Sequence, residues 1–306
     1  MMRITTGLLS ACLLLSANAA TDIENEKYRW LAQYDQDKDY IINVEEIYTE
    51  RTSLFNKADS NQDKLIDSNE YQQFFARSVQ VKVDYDRKQS IKQTHVRFNA
   101  MDKDDDQLMS REEYMATAKR SFDFFDTNED GLISLDDKKP TFTSSTKSTL
   151  TAEEKAEKQR KRKLRNATRL VRMPTTHSKK GMLTKYDLND DKQITWAEYQ
   201  QKRAIDFARA DEDSNNELTN DEYVAEFEDR LDSQIDKVKA NELAKGTPLF
   251  STLDKNSDHH ITLAEFHLDA LVNFAYFDTD NNGQVSFDEA VNEQMLPINL
   301  IASRNQ

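Results

Sequence analysis

One cysteine occurs in 306 residues, Cys12, and it lies in an apolar stretch near the N-terminus. A disulfide framework and a Cys-x-x-Cys metal or redox motif are therefore excluded. His-Glu-x-x-His and a Gly-rich phosphate loop are also missing. The five histidines, His95, His177, His259, His260 and His267, form no such motif, and the adjacent pair sits inside an acidic loop. Beyond residue 20 no apolar run is long enough to cross a bilayer. Positive charge is in deficit, with 42 Lys+Arg against 56 Asp+Glu, which argues against nucleic acid as the main partner. Mean hydropathy is −0.86, low enough to raise disorder as an alternative. Against disorder, the 15 Phe and 11 Tyr recur at fixed offsets from acidic loops. They predict small repeated cores whose folding is coupled to a metal.

The N-terminus differs from the rest. Arg3, the apolar run Leu8 to Leu15 and Ala17-Asn18-Ala19 have the layout of a secretory signal cleaved after Ala19. Leu9-Ser10-Ala11-Cys12 also resembles a bacterial lipoprotein box, although Leu13-Leu14-Leu15 extends the apolar core past Cys12. The expectation is an exported protein, periplasmic or extracellular, with lipid anchoring through Cys12 as the less favoured alternative. Its brevity and Ala-x-Ala end point to a bacterial signal.

A twelve-residue spacing of oxygen-bearing side chains recurs eight times, in loops 1 to 8 at 35–46, 59–70, 102–113, 126–137, 187–198, 211–222, 254–265 and 278–289. Asp holds position 1, Asp or Asn holds positions 3 and 5, an apolar residue holds position 8 and an acid holds position 12. A hard cation needs six to eight oxygens, and this spacing curls one short loop around it. Successive loops within a pair start 24 residues apart, and adding 152 to any loop start in the first half gives one in the second. The chain is a duplicated four-loop unit. Four residues before the loops stand Leu31, Phe55, Phe98, Phe122, Leu183, Phe207, Phe250 and Phe274, and one residue before stand Tyr34, Ala58, Met101, Phe125, Tyr186, Ala210, Leu253 and Phe277. That spacing puts both on one helix face, as core.

Helix, Asp/Asn-rich twelve-residue loop and helix together resemble the EF-hand family over roughly residues 28–140 and 183–293. The resemblance implies an all-α fold of helix-loop-helix repeats and calcium as the cofactor. It also implies ligands at positions 1, 3, 5, 9 and 12, with the position 7 carbonyl. Loop 1 then offers Asp35, Asp37, Asp39, Ile41, Asn43 and Glu46, and loop 2 offers Asp59, Asn61, Asp63, Leu65, Asp67 and Glu70. Loop 3 offers Asp102, Asp104, Asp106, Leu108, Ser110 and Glu113; loop 4 offers Asp126, Asn128, Asp130, Leu132, Ser134 and Asp137. Loop 5 offers Asp187, Asn189, Asp191, Gln193, Thr195 and Glu198; loop 6 offers Asp211, Asp213, Asn215, Glu217, Thr219 and Glu222. Loop 7 offers Asp254, Asn256, Asp258, His260, Thr262 and Glu265; loop 8 offers Asp278, Asp280, Asn282, Gln284, Ser286 and Glu289.

The departures from the family pattern predict graded affinities. The family expects Gly at position 6, and only Gly131 and Gly283 supply it. Tyr40, Lys64, Gln107, Lys192, Asn216 and His259 stand there instead, each at a cost of about 1 kcal/mol if φ is positive. Asp137 closes loop 4 with a shorter arm, and loop 8 is expected among the strongest sites.

The organisation expected is a signal peptide at 1–19, a lobe at 20–140, a basic linker at 141–182 and a second lobe at 183–306. Twelve residues separate loops 1 and 2, so one shared helix holds them at opposite ends. Two helices and a turn between loops 2 and 3 then predict nested pairing within each lobe: 2 with 3, 1 with 4, 6 with 7 and 5 with 8. Gly246-Thr247-Pro248 is expected to shorten the helix entering loop 7.

Residues 138–186 carry fifteen Lys/Arg and three Glu. Thr141 to Thr151 is Ser/Thr-rich and predicts a loop, and 152–173 predicts a basic helix with a narrow apolar stripe of Leu164, Ala167, Val171 and Leu170. A solvated linker, docking onto the protein's own acidic lobes, and an external partner or membrane surface are the readings open to it. Asn166-Ala167-Thr168 is a glycosylation sequon that matters only in a eukaryotic host.

The function expected is calcium binding, by a buffer or calcium-stabilised binding protein, without enzymatic activity. The alternative is a calcium-dependent interaction protein that exposes apolar grooves. A third reading resembles the reticulocalbin–calumenin group in size, acidity and export. The end Ala302-Ser303-Arg304-Asn305-Gln306 lacks that group's retrieval tetrapeptide, and the 24-residue loop period is tighter.

Overall fold

The computed structural model describes residues 17–138, 140, 150–173, 176 and 178–292, with side chains described from residue 25 onward. The signal core, Cys12 and most of the Ser/Thr-rich stretch lie outside the described residues. In chain order the elements are α1 (Ala17–Tyr34), β1 (Ile41–Asn43), α2 (Val44–Ala58), β2 (Leu65–Asp67), α3 (Ser68–Met101), β3 (Leu108–Ser110), α4 (Arg111–Phe125), β4 (Leu132–Ile133), α5 (Ala152–Thr168), α6 (Lys179–Tyr186), β5 (Ile194–Thr195), α7 (Trp196–Ala210), β6 (Glu217–Thr219), α8 (Asn220–Leu243), α9 (Gly246–Leu253), β7 (His260–Thr262), α10 (Leu263–Phe277), β8 (Gln284–Ser286) and α11 (Phe287–Ala290). The fold is all-α, with each strand no more than a short loop segment. No described helix is long and apolar enough to cross a membrane.

The strands pair in four antiparallel two-stranded ladders: β1 with β8, β2 with β7, β3 with β6 and β4 with β5. Position 8 of each loop faces position 8 of its partner: Ile42 with Val285, Ile66 with Ile261, Met109 with Leu218 and Ile133 with Ile194. All eight of these side chains are fully buried, each contributing about 1.5–3 kcal/mol of burial.

This order corrects the pairing expected within each half. No turn divides the segment between loops 2 and 3. Residues 68–101 contain neither glycine nor proline and form one 34-residue helix, α3, about 50 Å long. Loops 2 and 3 at its two ends cannot meet. Loop 7 stands 152 residues after loop 3 and loop 8 stands 152 after loop 4. Each loop therefore pairs with the duplicate of its expected partner, taken from the other half. In the second half α8 ends at Leu243 and the eight-residue α9 follows, the shortening that Gly246-Thr247-Pro248 predicts.

The lobe boundaries change accordingly. The chain forms two compact units, one of residues up to 74, 150–168 and 247 onward, the other of residues 75–149 and 169–246. The first holds loops 1, 2, 7 and 8; the second holds loops 3 to 6. Neither corresponds to 20–140 or 183–306, because every ladder joins one half of the sequence to the other.

In the first unit, Leu31, Ile47, Phe277 and Val285 build a core that also takes in Ala167 of α5. In the second, Phe122, Phe125, Ile133, Met182 and Ile194 form one cluster and Phe98, Met109, Phe207 and Leu218 another. The position four residues before each loop is buried in seven of eight cases; Leu183 is half-exposed. Duplicated arginines close both units, a feature the sequence pattern did not reveal. Arg51 lies 3.6 Å over the Phe266 ring and donates to the Phe266 carbonyl. Arg203, 152 residues later, lies 3.6 Å over Tyr114 and donates to the Tyr114 carbonyl.

The basic helix ends at Thr168, five residues before the expected Met173. The amides of Leu170 and Val171 donate to the buried carboxylate of Asp86 at 2.7 and 3.0 Å. Val171 then enters an apolar cluster with Val79, Val83, Phe227, Leu231 and Ile235 in the second unit. Asp86→Ala would strand both amides and remove the neighbour of Arg169, 3.7 Å away. It is expected to destabilise the second unit by about 2–4 kcal/mol, read by urea denaturation with calcium present.

Candidate metal centres

Every loop begins in the same way. The N–H of position 1 donates to the carbonyl four residues earlier, from Asp35 to Leu31 through to Asp278 to Phe274, which completes the last turn of the incoming helix. The position 1 carboxylate then accepts the N–H of position 6, at 2.9–3.3 Å in all eight loops. The position 5 oxygen accepts the N–H of position 7, at 2.7–2.9 Å in all eight. The position 12 carboxylate accepts the N–H of position 9, at 2.8–3.1 Å. In seven loops its other oxygen reaches back to the N–H of position 2. These contacts turn the side chains at positions 1, 5 and 12 inward.

The backbone bends are sharper than the glycine argument anticipated. Position 4 as well as position 6 has positive φ in every loop, so fourteen residues other than glycine lie in the left-handed region. Lys38 and Tyr40 of loop 1 have φ of 65° and 68°. Each such residue costs about 1 kcal/mol. The hydrogen bonds to the position 1 and position 5 side chains hold them there.

Positions 9 and 12 serve a second purpose that the spacing also encoded. Asn43 with Glu46, Ser110 with Glu113, Thr195 with Glu198, Thr219 with Glu222, Thr262 with Glu265 and Ser286 with Glu289 are reciprocal capping boxes that start the outgoing helices. Position 9 therefore points its side chain at the position 12 amide. In loop 4 no helix follows among the described residues nearby, yet Asp137, 3% exposed, still accepts from Thr127 and Ser134. Its shorter arm reaches the same backbone groups as the glutamates.

Charge is unevenly distributed. In loops 2, 4, 5 and 7 the Asn at position 3 donates its side-chain amide to the Asp at position 5. In loops 6 and 8 an Asn at position 5 does the same to the Asp at position 3. Loops 1 and 3 have carboxylates at both places and no such amide. Three carboxylates lie with oxygens within 4.8 Å of one another in loops 1, 3, 6 and 8. These are the partners β1–β8 and β3–β6, so each unit has one pair of this kind. Burial, together with Asp106 and Glu113, raises Asp104, and burial, against two backbone hydrogen bonds, raises Asp35. Glu113 is lowered by the Lys103 amide above all. Burial opposes ionisation of Glu222, Glu265 and Glu289, but hydrogen bonds from Thr219, Thr262 and Ser286 outweigh it and lower all three.

A family model described as EF hand matches residues 119–137 and 271–289. The protein is an EF-hand protein. Both matched segments end in the loops that carry glycine at position 6, Gly131 and Gly283. No curated protein and no solved structure matches the chain. EF-hands imply calcium binding, and the residues fit it. The donors are all oxygen, as a hard cation requires. Asp35 Oδ1, Asp59 Oδ1 and Glu198 Oε1 are buried carboxylate oxygens without a hydrogen-bond partner, an arrangement that a bound cation would complete.

Beside loops 1 and 8 of this EF-hand protein lies the basic helix α5, packed along α1. Arg160 sits 4.9 Å from the Phe287 ring and 5.6 Å from Tyr40, and Lys163 sits 5.3 Å from Tyr28. The Tyr40 hydroxyl donates to Glu157 at 2.8 Å, and burial followed by this contact pushes Tyr40 up to about 12. Arg29 donates to the Ala167 carbonyl at 2.8 Å.

Proposed function

We propose that the protein is an exported calcium buffer, periplasmic or extracellular, whose own fold is stabilised by the ions it holds. Up to eight loops take part, with affinities graded by their carboxylates. The carrying observation is one hydrogen-bond geometry repeated in eight loops of a single chain, with three carboxylates gathered in four of them. Export rests on the N-terminal sequence pattern. Weak sites are adequate where calcium is abundant. No catalytic role is proposed, since the loops account for the spacing of the carboxylates.

Calorimetric titration is expected to give more than four calcium ions per chain; two or fewer would refute the reading. A dye for apolar surface should lose signal as calcium is added, while helix content rises. An increase would instead favour the interaction protein, because sensors open on binding and buffers barely do. One observation favours some intramolecular control. Helix α5 touches Tyr40 of loop 1 and Phe287 of loop 8, so filling those loops and holding the basic segment are coupled in this reading. Deleting 152–168 should then lower affinity at loops 1 and 8.

A further inference from the structure

Helix α5 has two opposite faces, and calcium binding accounts for only one of them. The inner face holds Arg160, Lys163, Leu164 and Ala167. Arg160 and Lys163 lie over the rings of Phe287, Tyr40 and Tyr28, and Leu164 and Ala167 join the core of Leu31. The hydrogen bond from Arg29 to the Ala167 carbonyl fixes the helix about its own axis. Helical periodicity then places Lys155, Lys158, Lys161, Arg162 and Arg165 together on the outer face, and all five are exposed. Lys161 pairs with Glu157 at 2.8 Å. Lys155, Lys158, Arg162 and Arg165 form no ion pair among the described residues. Glu154, at the N-terminal end of the row, has its carboxylate engaged by the Thr151 N–H.

The inner face seats the helix without these four cations, yet a chain of net charge −14 keeps them in a row of about 15 Å. The row has no exposed aromatic ring on which a nucleic-acid base could stack. It has no large apolar side chain to enter a bilayer or pack on a partner helix. Charge is its means of recognition, with Gln159 beside it as a neutral hydrogen-bonding group. A flat anionic bilayer would also meet Asp288, 85% exposed and 4.0 Å from Arg160, well within a Debye length of about 8 Å. One polymer strand can follow the row without that repulsion. We propose that the outer face of α5 binds an anionic polysaccharide. Its acidic groups meet Lys155, Lys158, Arg162 and Arg165, the arginines through paired N–H donors, and its hydroxyls meet Gln159. The choice of polymer rests on the export reading above; the binding test does not.

The test uses the full chain in excess calcium and a fluorescently labelled heparin fragment as the anionic polysaccharide. Anisotropy is expected to show saturable binding, weakened by roughly tenfold or more as salt rises from about 50 to about 200 mM. The triple change Lys158→Glu, Arg162→Glu and Arg165→Glu should abolish it, and the neutral triple to Gln should weaken it by about tenfold. Both variants should keep the parent's melting curve in calcium, since the three positions are exposed. Arg77→Glu, Lys88→Glu and Lys92→Glu, at exposed cations of α3, make the matched control and should leave binding unchanged. No heparin binding, binding that neither α5 triple alters, or an equal loss in the α3 control would each overturn the proposal. So would tighter binding to phosphatidylglycerol vesicles or to a single-stranded oligonucleotide, if the α5 triples removed it. None of these results would alter the calcium stoichiometry, so the calcium reading stands or falls separately.

Discussion

Cutting the backbone between Pro140 and Leu150 is expected to leave one particle in calcium, not two. If the halves of the sequence were the lobes, the fragments would part on size exclusion as two self-contained four-loop proteins. The ladders instead run from β1 to β8, β2 to β7, β3 to β6 and β4 to β5, and each crosses the cut. Separating the fragments would expose eight fully buried position 8 side chains. At about 2 kcal/mol each, they alone exceed the size of a nanomolar binding energy, about 12 kcal/mol, before the costs of association. Helix packing adds to this, with α2 on α10 and α4 on α7. The fragments should co-elute in calcium and separate in chelator. Separate elution at saturating calcium would contradict the observed strand order.

Removing calcium is expected to unfold most of the protein. Fourteen left-handed residues other than glycine, at about 1 kcal/mol each, oppose the metal-free loops. Loops 1 and 3 add paired carboxylates, Asp37 with Asp39 and Asp104 with Asp106, that no side-chain amide bridges. A domain's whole stability is about 5–15 kcal/mol. A site held at a free calcium about a hundred times its Kd contributes about 2.7 kcal/mol, so about six filled sites outweigh the strain. The melting temperature, followed by circular dichroism, should fall by more than roughly 20 °C on chelation. A chelated chain that melts cooperatively within a few degrees of the calcium form would show that the strain is met by the protein alone. Trp196, in contact with Phe122 and Tyr199 beside loop 5, should report the change at that site.

The candidate sites were legible because each is local. Twelve consecutive residues contain the candidate ligands, the turn and the start of the outgoing helix, so spacing alone pointed to them. The same residues carried two messages, and only one was read at first. Thr195 with Glu198 is both a candidate ligand pair and a capping box, and the Ser/Thr-x-x-Glu signature was available in the sequence. The positive φ at position 4 was not legible, because Lys38, Gln62, Glu129 and Ser257 share no residue type. Asp86 gave no signal either. Its partners are backbone amides 84 and 85 residues away.

The sequence by itself determined the loops, their candidate ligands, the duplication and the apolar flanks, since these depend on spacing along one segment. Which loop pairs with which was decided by the tertiary structure. A duplicated chain offers every loop two equivalent partners: Ile42 can face Ile133 or its copy Val285, and the local residues cannot choose. The length of α3 chooses. Without a glycine or proline to break it, the helix runs on for 34 residues from the end of loop 2 to loop 3 and leaves each loop only the copy in the other half. The same choice brings Tyr40 of loop 1 and Phe287 of loop 8 together under Arg160 of α5, a contact between residues 247 positions apart that no local spacing encodes.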